Sequence, residues 1–129
     1  MSERSMLTEQ NFKHWLQSYG DAWQAQDASS FTALFAEDAL YYWTPFEEPK
    51  RGQDEISIAF NAAVEKQRDI DFGARVLYTQ EKLGAAHWSC SFTRAGTGLR
   101  VHLDGILVVQ FSDSGKALSF REWWHSDEG

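Results

Sequence analysis

Cysteine, proline and basic charge are all scarce in this chain of 129 residues, and each shortage excludes something. The single cysteine, Cys90, has no internal partner, so no disulfide framework holds the fold and a reducing, cytoplasmic setting is expected. The two prolines, Pro45 and Pro49, fall close together, which confines the breaks they impose to one short stretch. Lys and Arg number 12 against 19 Asp and Glu, a net charge of −7 that argues against a nucleic-acid partner or an anionic membrane surface. No run comes near the ~20 apolar residues that cross a bilayer. No apolar segment follows the opening Met1 to Ser5, so no secretory leader is expected.

Aromatic residues are what the chain has in quantity: 15% of it, within a hydrophobic content of 43%. That excludes disorder and suggests a packed or lined interior, in a chain sized for a single domain spanning 1–129. Thr8 is a good helix N-cap, and Phe12, Trp15, Leu16, Tyr19 and Trp23 recur at helical spacing, so a helix is predicted over 8–26. Asp27 caps a short second helix over 27–36 carrying Phe31, Leu34 and Phe35. Residues 39–43 read as an aromatic strand stopped by Pro45, and 46–50 as a loop. Gly52 opens a third helix, 52–68, with Ile56, Phe60 and Val64 on one face. From Asp71 the period falls to two, giving strands at 71–79, 85–94, 100–112 and 117–125 joined by turns around Gly84, Gly96, Gly98 and Gly115. Three helices with an antiparallel meander define an α+β domain.

The order helix, helix, strand, helix, four strands resembles the nuclear transport factor 2 superfamily, which includes the ketosteroid isomerases and the SnoaL-like cyclases. The best local matches are the run Leu34 to Ala39 (Leu-Phe-Ala-Glu-Asp-Ala) and the closing Gly115 to Arg121. The resemblance implies three N-terminal helices packed on a curved, mostly antiparallel sheet, forming a cone with an internal pocket (a cystatin-like α+β barrel). It also implies pairing of outer sheet faces into a homodimer. Laid on this chain, the isomerase pattern puts its hydrogen-bonding tyrosine at Tyr19, its base at Trp43 and its second acid at Leu107. Neither of the last two can lift a proton, so ketosteroid isomerase chemistry itself is not expected.

Phe120, Glu122 and Trp124 share one face of the last strand by the period of two, and the resemblance turns that face inward. A carboxyl between two aromatic rings is poorly solvated, and its pKa rises into the range useful for proton transfer. The alternative is that Glu122 sits at the pocket mouth or pairs with Arg75 or Arg121. Tyr19 is either a ligand-contacting phenol or a core tyrosine bonded to backbone. Tyr19 and Glu122 are the candidate catalytic residues. Trp15, Tyr41, Trp43, Phe60, Trp88, Leu107 and Trp124 are expected to line an aromatic pocket for a flat apolar ligand, with plain core packing as the rival. Asp104 lies an odd offset from Leu107 and so points outward, unless a bulge at Gly105 intervenes.

Cys90 reads as a small buried residue, not a nucleophile. His87, His102 and His125 fall on the outer face, and their spacing matches no metal motif, so no metal and no cofactor are expected. Tyr42, Ile106, Val108, Trp123 and His125 gather on that outer face, a patch suited to a homodimer contact. The expected function is binding of a small hydrophobic metabolite, with cofactor-free isomerase, cyclase or hydrolase activity. The alternative is a non-catalytic ligand-binding or dimeric assembly module of the same fold.

Overall fold

The computed structural model describes residues 6–128, so the opening segment weighed above as a leader lies outside the described residues. Thr8 caps helix α1 (Glu9–Ala25), its hydroxyl oxygen accepting the Asn11 N–H at 3.0 Å. The cap satisfies one of the orphan donors of the first turn. Phe12, Trp15, Leu16, Tyr19 and Ala22 form the buried face. The helix ends at Gln26, in the left-handed region at φ 57. The Gln26 side chain offsets that conformation by donating to the carbonyls of Val64 at 2.7 Å and Gln67 at 3.0 Å.

Asp27 caps α2 (Ala28–Thr32), accepting from the Ser30 N–H at 3.2 Å. This helix is shorter than the 27–36 predicted, because strand β1 (Phe35–Tyr42) already begins at Phe35. Phe31, Leu34 and Phe35 do fit a helical period. However, the Leu34 carbonyl accepts the Ala117 N–H at 2.9 Å, and Phe35 pairs in parallel with Ala117. Tertiary pairing overrides the local pattern. At the end of the expected loop, β2 (Lys50–Arg51) pairs with β1. Helix α3 (Gly52–Val64) stops short of 68, since β3 (Gln67–Gln80) takes Gln67 and Arg68 into register with Arg94 and Thr93. The meander continues through β4 (Leu83–Arg94), β5 (Arg100–Phe111) and β6 (Ala117–Glu128).

The six strands form one sheet in the order β2-β1-β6-β5-β4-β3, antiparallel except for the β1–β6 pair. Alternation sorts its two faces. Trp88, Cys90, Phe92, Val101, Leu107, Val109 and Phe120 pack inward against the helices, while Ser89, Asp104, Ile106, Gln110, Arg121 and Trp123 are exposed on the other side. No bulge occurs at Gly105: Asp104, Gly105 and Ile106 pair in unbroken register with His125, Trp124 and Trp123. Asp104 therefore points outward, where it meets the His87 Nε2 at 3.0 Å. No described helix is long and apolar enough to cross a membrane.

Candidate functional site

Between the helices and the concave face of the sheet lies a hollow of about 260 Å³. Strand β6 carries Glu122 into its wall, flanked by Phe120 and Trp124 and directly opposite Leu107 of β5. The Tyr41 hydroxyl donates to Glu122 Oε1 across a long 3.5 Å, and the same hydroxyl lies 2.8 Å from that of Tyr19. The three side chains thus form a chain from α1 through β1 to β6. Tyr19 is held in place by stacking on Phe120 at 5.3 Å and on Trp15 at 5.5 Å. Phe120 also meets the Tyr41 ring edge-on at 4.7 Å.

No ion pair among the described residues includes Glu122. Arg121 stacks instead over Tyr42 at 3.8 Å, and Arg75 lines a separate groove between α1 and β3. Glu122 is half-buried and lines the hollow. Burial without a counter-charge pushes its carboxyl up to about 8, with the Tyr41 hydrogen bond pulling the other way. Burial, and then the nearby Glu122 charge, also raise the Tyr19 and Tyr41 phenols well above 10.0. At neutral pH the wall therefore holds one neutral carboxyl beside two neutral phenols.

Of the residues expected at the site, Tyr19, Tyr41, Trp43 and Phe60 line the hollow, as do Trp88, Glu122 and Trp124. Trp15 and Leu107 do not. Trp15 sits in the core beyond Tyr19 and donates to the Leu34 carbonyl at 3.2 Å, and Leu107 is buried between strands and helices. The Trp43 and Trp88 indole N–H groups are buried in the walls with no hydrogen-bond partner among the described residues. At the mouth, the half-exposed Trp124 donates to the Trp43 carbonyl at 3.1 Å, which ties β6 to the end of β1. Trp23 donates to the Gln67 side chain at 2.8 Å.

Sequence reasoning missed Gln67, Arg94 and Ser126, all of which line the hollow. Gln67 was hidden inside the predicted third helix. For the other two the signal was present: Arg94 extends the inward series Trp88, Cys90, Phe92, and Ser126 extends Glu122, Trp124. Cys90 is buried, and burial above all pushes its thiol up to about 12, so it stays protonated. Among the described residues no group of His, Cys, Asp or Glu is arranged to hold a metal ion.

Three helices closing a curved, mostly antiparallel sheet over an aromatic hollow define an α+β cone of the nuclear transport factor 2 type. The family model for the SnoaL-like domain matches residues 16–120, and the chain belongs to that family. Solved structures share the fold at low identity. One is the epoxide hydrolase/cyclase-like enzyme SalBIII of pyran ring formation in the polyether salinomycin, at TM-score 0.79 and 19% identity, covering 97% of this chain and 95% of that one. A computationally designed 17-OHP binder matches at TM-score 0.77 and 16% identity, over 89% and 95% of the two chains. RV0760c from Mycobacterium tuberculosis matches at TM-score 0.79 and 15% identity, over 95% and 99%. No curated protein matches the chain in sequence.

Proposed function

We propose that this SnoaL-like domain is a cofactor-free enzyme that uses Glu122 as a proton donor to a small, largely apolar substrate held in the hollow. The observation that carries this reading is a lone carboxyl, without a counter-charge, opening onto an aromatic hollow. An acid of pKa about 8 is mostly protonated at neutral pH. It is still strong enough to give its proton to a substrate oxygen as a C–O bond breaks; a water or a substrate hydroxyl bonds to the carbon in its place and releases the proton that restores Glu122, as hydrolysis and cyclisation require. Tyr41 donates to one carboxyl oxygen and leaves the other to carry the proton toward the substrate. Tyr19 fixes the Tyr41 hydroxyl. The likeness to an epoxide hydrolase/cyclase-like enzyme supports acid-assisted chemistry at an oxygen. The two unpartnered indole donors support an occupant with acceptor oxygens, since each buried unmet donor costs about 1–3 kcal/mol.

A panel of small apolar epoxides, enones and lactones tests the reading. Turnover is expected to fall as pH rises through about 8, where Glu122 loses its proton. Glu122→Gln is expected to lower turnover ~10²-fold or more, and Tyr19→Phe to lower it as well. A rate that climbs through the same pH range would assign Glu122 the role of base and contradict the donor role.

One observation favours a second reading, a binding module without chemistry: no second carboxyl and no imidazole, thiol or amine accompanies Glu122 in the wall, and Trp43 and Leu107 stand where the isomerase pattern keeps carboxylates. Tight binding by the wild type with no turnover across the panel would decide for it.

Assembly follows from the outer face. Ile106 and Trp123 face each other across β5 and β6 and are 37% and 45% exposed, beside the half-buried Val108 and Tyr42. A homodimer in which each patch meets its copy removes them from water. Trp123→Glu is expected to shift the protein to monomer or to aggregate. A monomer-sized wild-type particle in light scattering at micromolar concentration would overturn the dimer.

A further inference from the structure

Apart from Glu122, the wall of the hollow contains one charged residue, Arg94. We infer that Arg94 selects ligands carrying an anionic head group, a carboxylate or sulfonate, on an apolar body. This rests on the hollow being the ligand site proposed above.

Arg94 closes β4 on the concave face, one alternation step beyond Phe92, and reaches across β5 to Glu128 near the end of β6. Its Nε donates to one carboxylate oxygen at 2.7 Å, and a terminal nitrogen donates to the other at 3.2 Å. Val101, the β5 residue between them, is buried and pairs with Glu128 in register. The ion pair therefore spans the buried Val101, itself part of the wall of the hollow.

The donor count at this rim is unbalanced. A guanidinium has five N–H donors. Two go to Glu128, and the others have no protein acceptor among the described residues. The three remaining guanidinium N–H donors can each take an acceptor, which an anionic head group supplies. Deeper in, the wall offers an anionic head no opposing charge while Glu122 keeps its proton. The chain as a whole, at −7, repels anions, which makes Arg94 a local exception.

Exposure of the pair sets its strength. The Arg94 and Glu128 side chains are 39% and 34% exposed, so water screens their attraction and the pair is easily exchanged. A ligand carboxylate entering the mouth meets the same planar fork and takes the place of Glu128, or adds to the free edge of the guanidinium. Its apolar body then lies along Phe92 and Trp88 toward Glu122.

Two fluorescent probes of one skeleton test this: 8-anilinonaphthalene-1-sulfonate, which is anionic, and neutral N-phenyl-1-naphthylamine. The readout is the ratio of the two affinities. Arg94→Gln is expected to cut the preference for the sulfonate ~5-fold or more, and Glu128→Gln to raise it ~3-fold by removing the competing carboxylate. High salt is expected to lower the wild-type ratio toward that of Arg94→Gln. Thermal melts show that each variant is folded, and the Glu128→Gln result stands if Arg94→Gln is not. Unchanged ratios in both variants overturn the role of Arg94 while leaving the hollow intact. Failure of both probes to bind the wild type overturns the hollow as a ligand site, and this inference with it.

Discussion

Glu122→Gln is expected to stabilise the protein, and increasingly so as pH rises. A carboxyl at about 8 in the fold and about 4.5 unfolded holds its proton more tightly in the folded state. Between those two values the unfolded chain has released a proton that the folded protein still carries. Wild-type stability from this group is therefore full below pH about 4.5, falls as pH rises through that window, and is flat above about 8. The whole shift amounts to at most ~5 kcal/mol. Glutamine keeps the shape of the neutral acid and cannot ionise, so the difference between variant and wild type should be small at pH 4 and large at pH 9. In melting temperature the gain at the alkaline end is on the order of 10 °C. Parallel wild-type and variant curves across that range would mean that Glu122 is solvated and that the hollow does not isolate it.

Gly105→Ala is expected to do more damage than alanine at either of the other strand glycines, Gly73 and Gly84. Gly105 sits mid-strand in β5, paired with Trp124 of β6. An added Cβ would lie 2.0 Å from the Trp123 carbonyl oxygen and 2.9 Å from the Trp124 Cα. Those are backbone atoms, so no side-chain rotation relieves the overlap and the strands themselves must part. Such a change belongs with the substitutions that cost more than ~4 kcal/mol, a large share of the 5–15 kcal/mol that holds a typical domain together. The variant should fail to accumulate as folded protein or should melt far below the wild type. A wild-type melting curve would contradict the close approach of β5 and β6, and with it the placement of Glu122 and Trp124.

Much of the site was legible because alternation is a local rule. It put Glu122 and Trp124 on one face of β6, sent Asp104 outward and aligned Trp88 with Phe92. The strand boundaries were less legible, since they depend on partners distant in sequence. The start of β1 is set by Ala117, and the start of β3 by Arg94. Alternation also tells which residues face inward without telling where the inside is empty. Trp15 and Leu107 face inward as expected, yet helices and strands close over them, while the hollow opens toward Gln67, Arg94 and Ser126. The link from Tyr19 through Tyr41 to Glu122 joins residues 22 and 81 positions apart, a juxtaposition no local period contains.

The proton-donor reading of the site depends on a proton held by Glu122 at neutral pH. Carbon-13 NMR of protein labelled at the glutamate side-chain carboxyl carbon, with Glu122→Gln used to assign the resonance, measures that proton directly. The account predicts that the Glu122 resonance titrates with a midpoint near 8. A Glu122 resonance titrating near the ordinary 4.5 would contradict it.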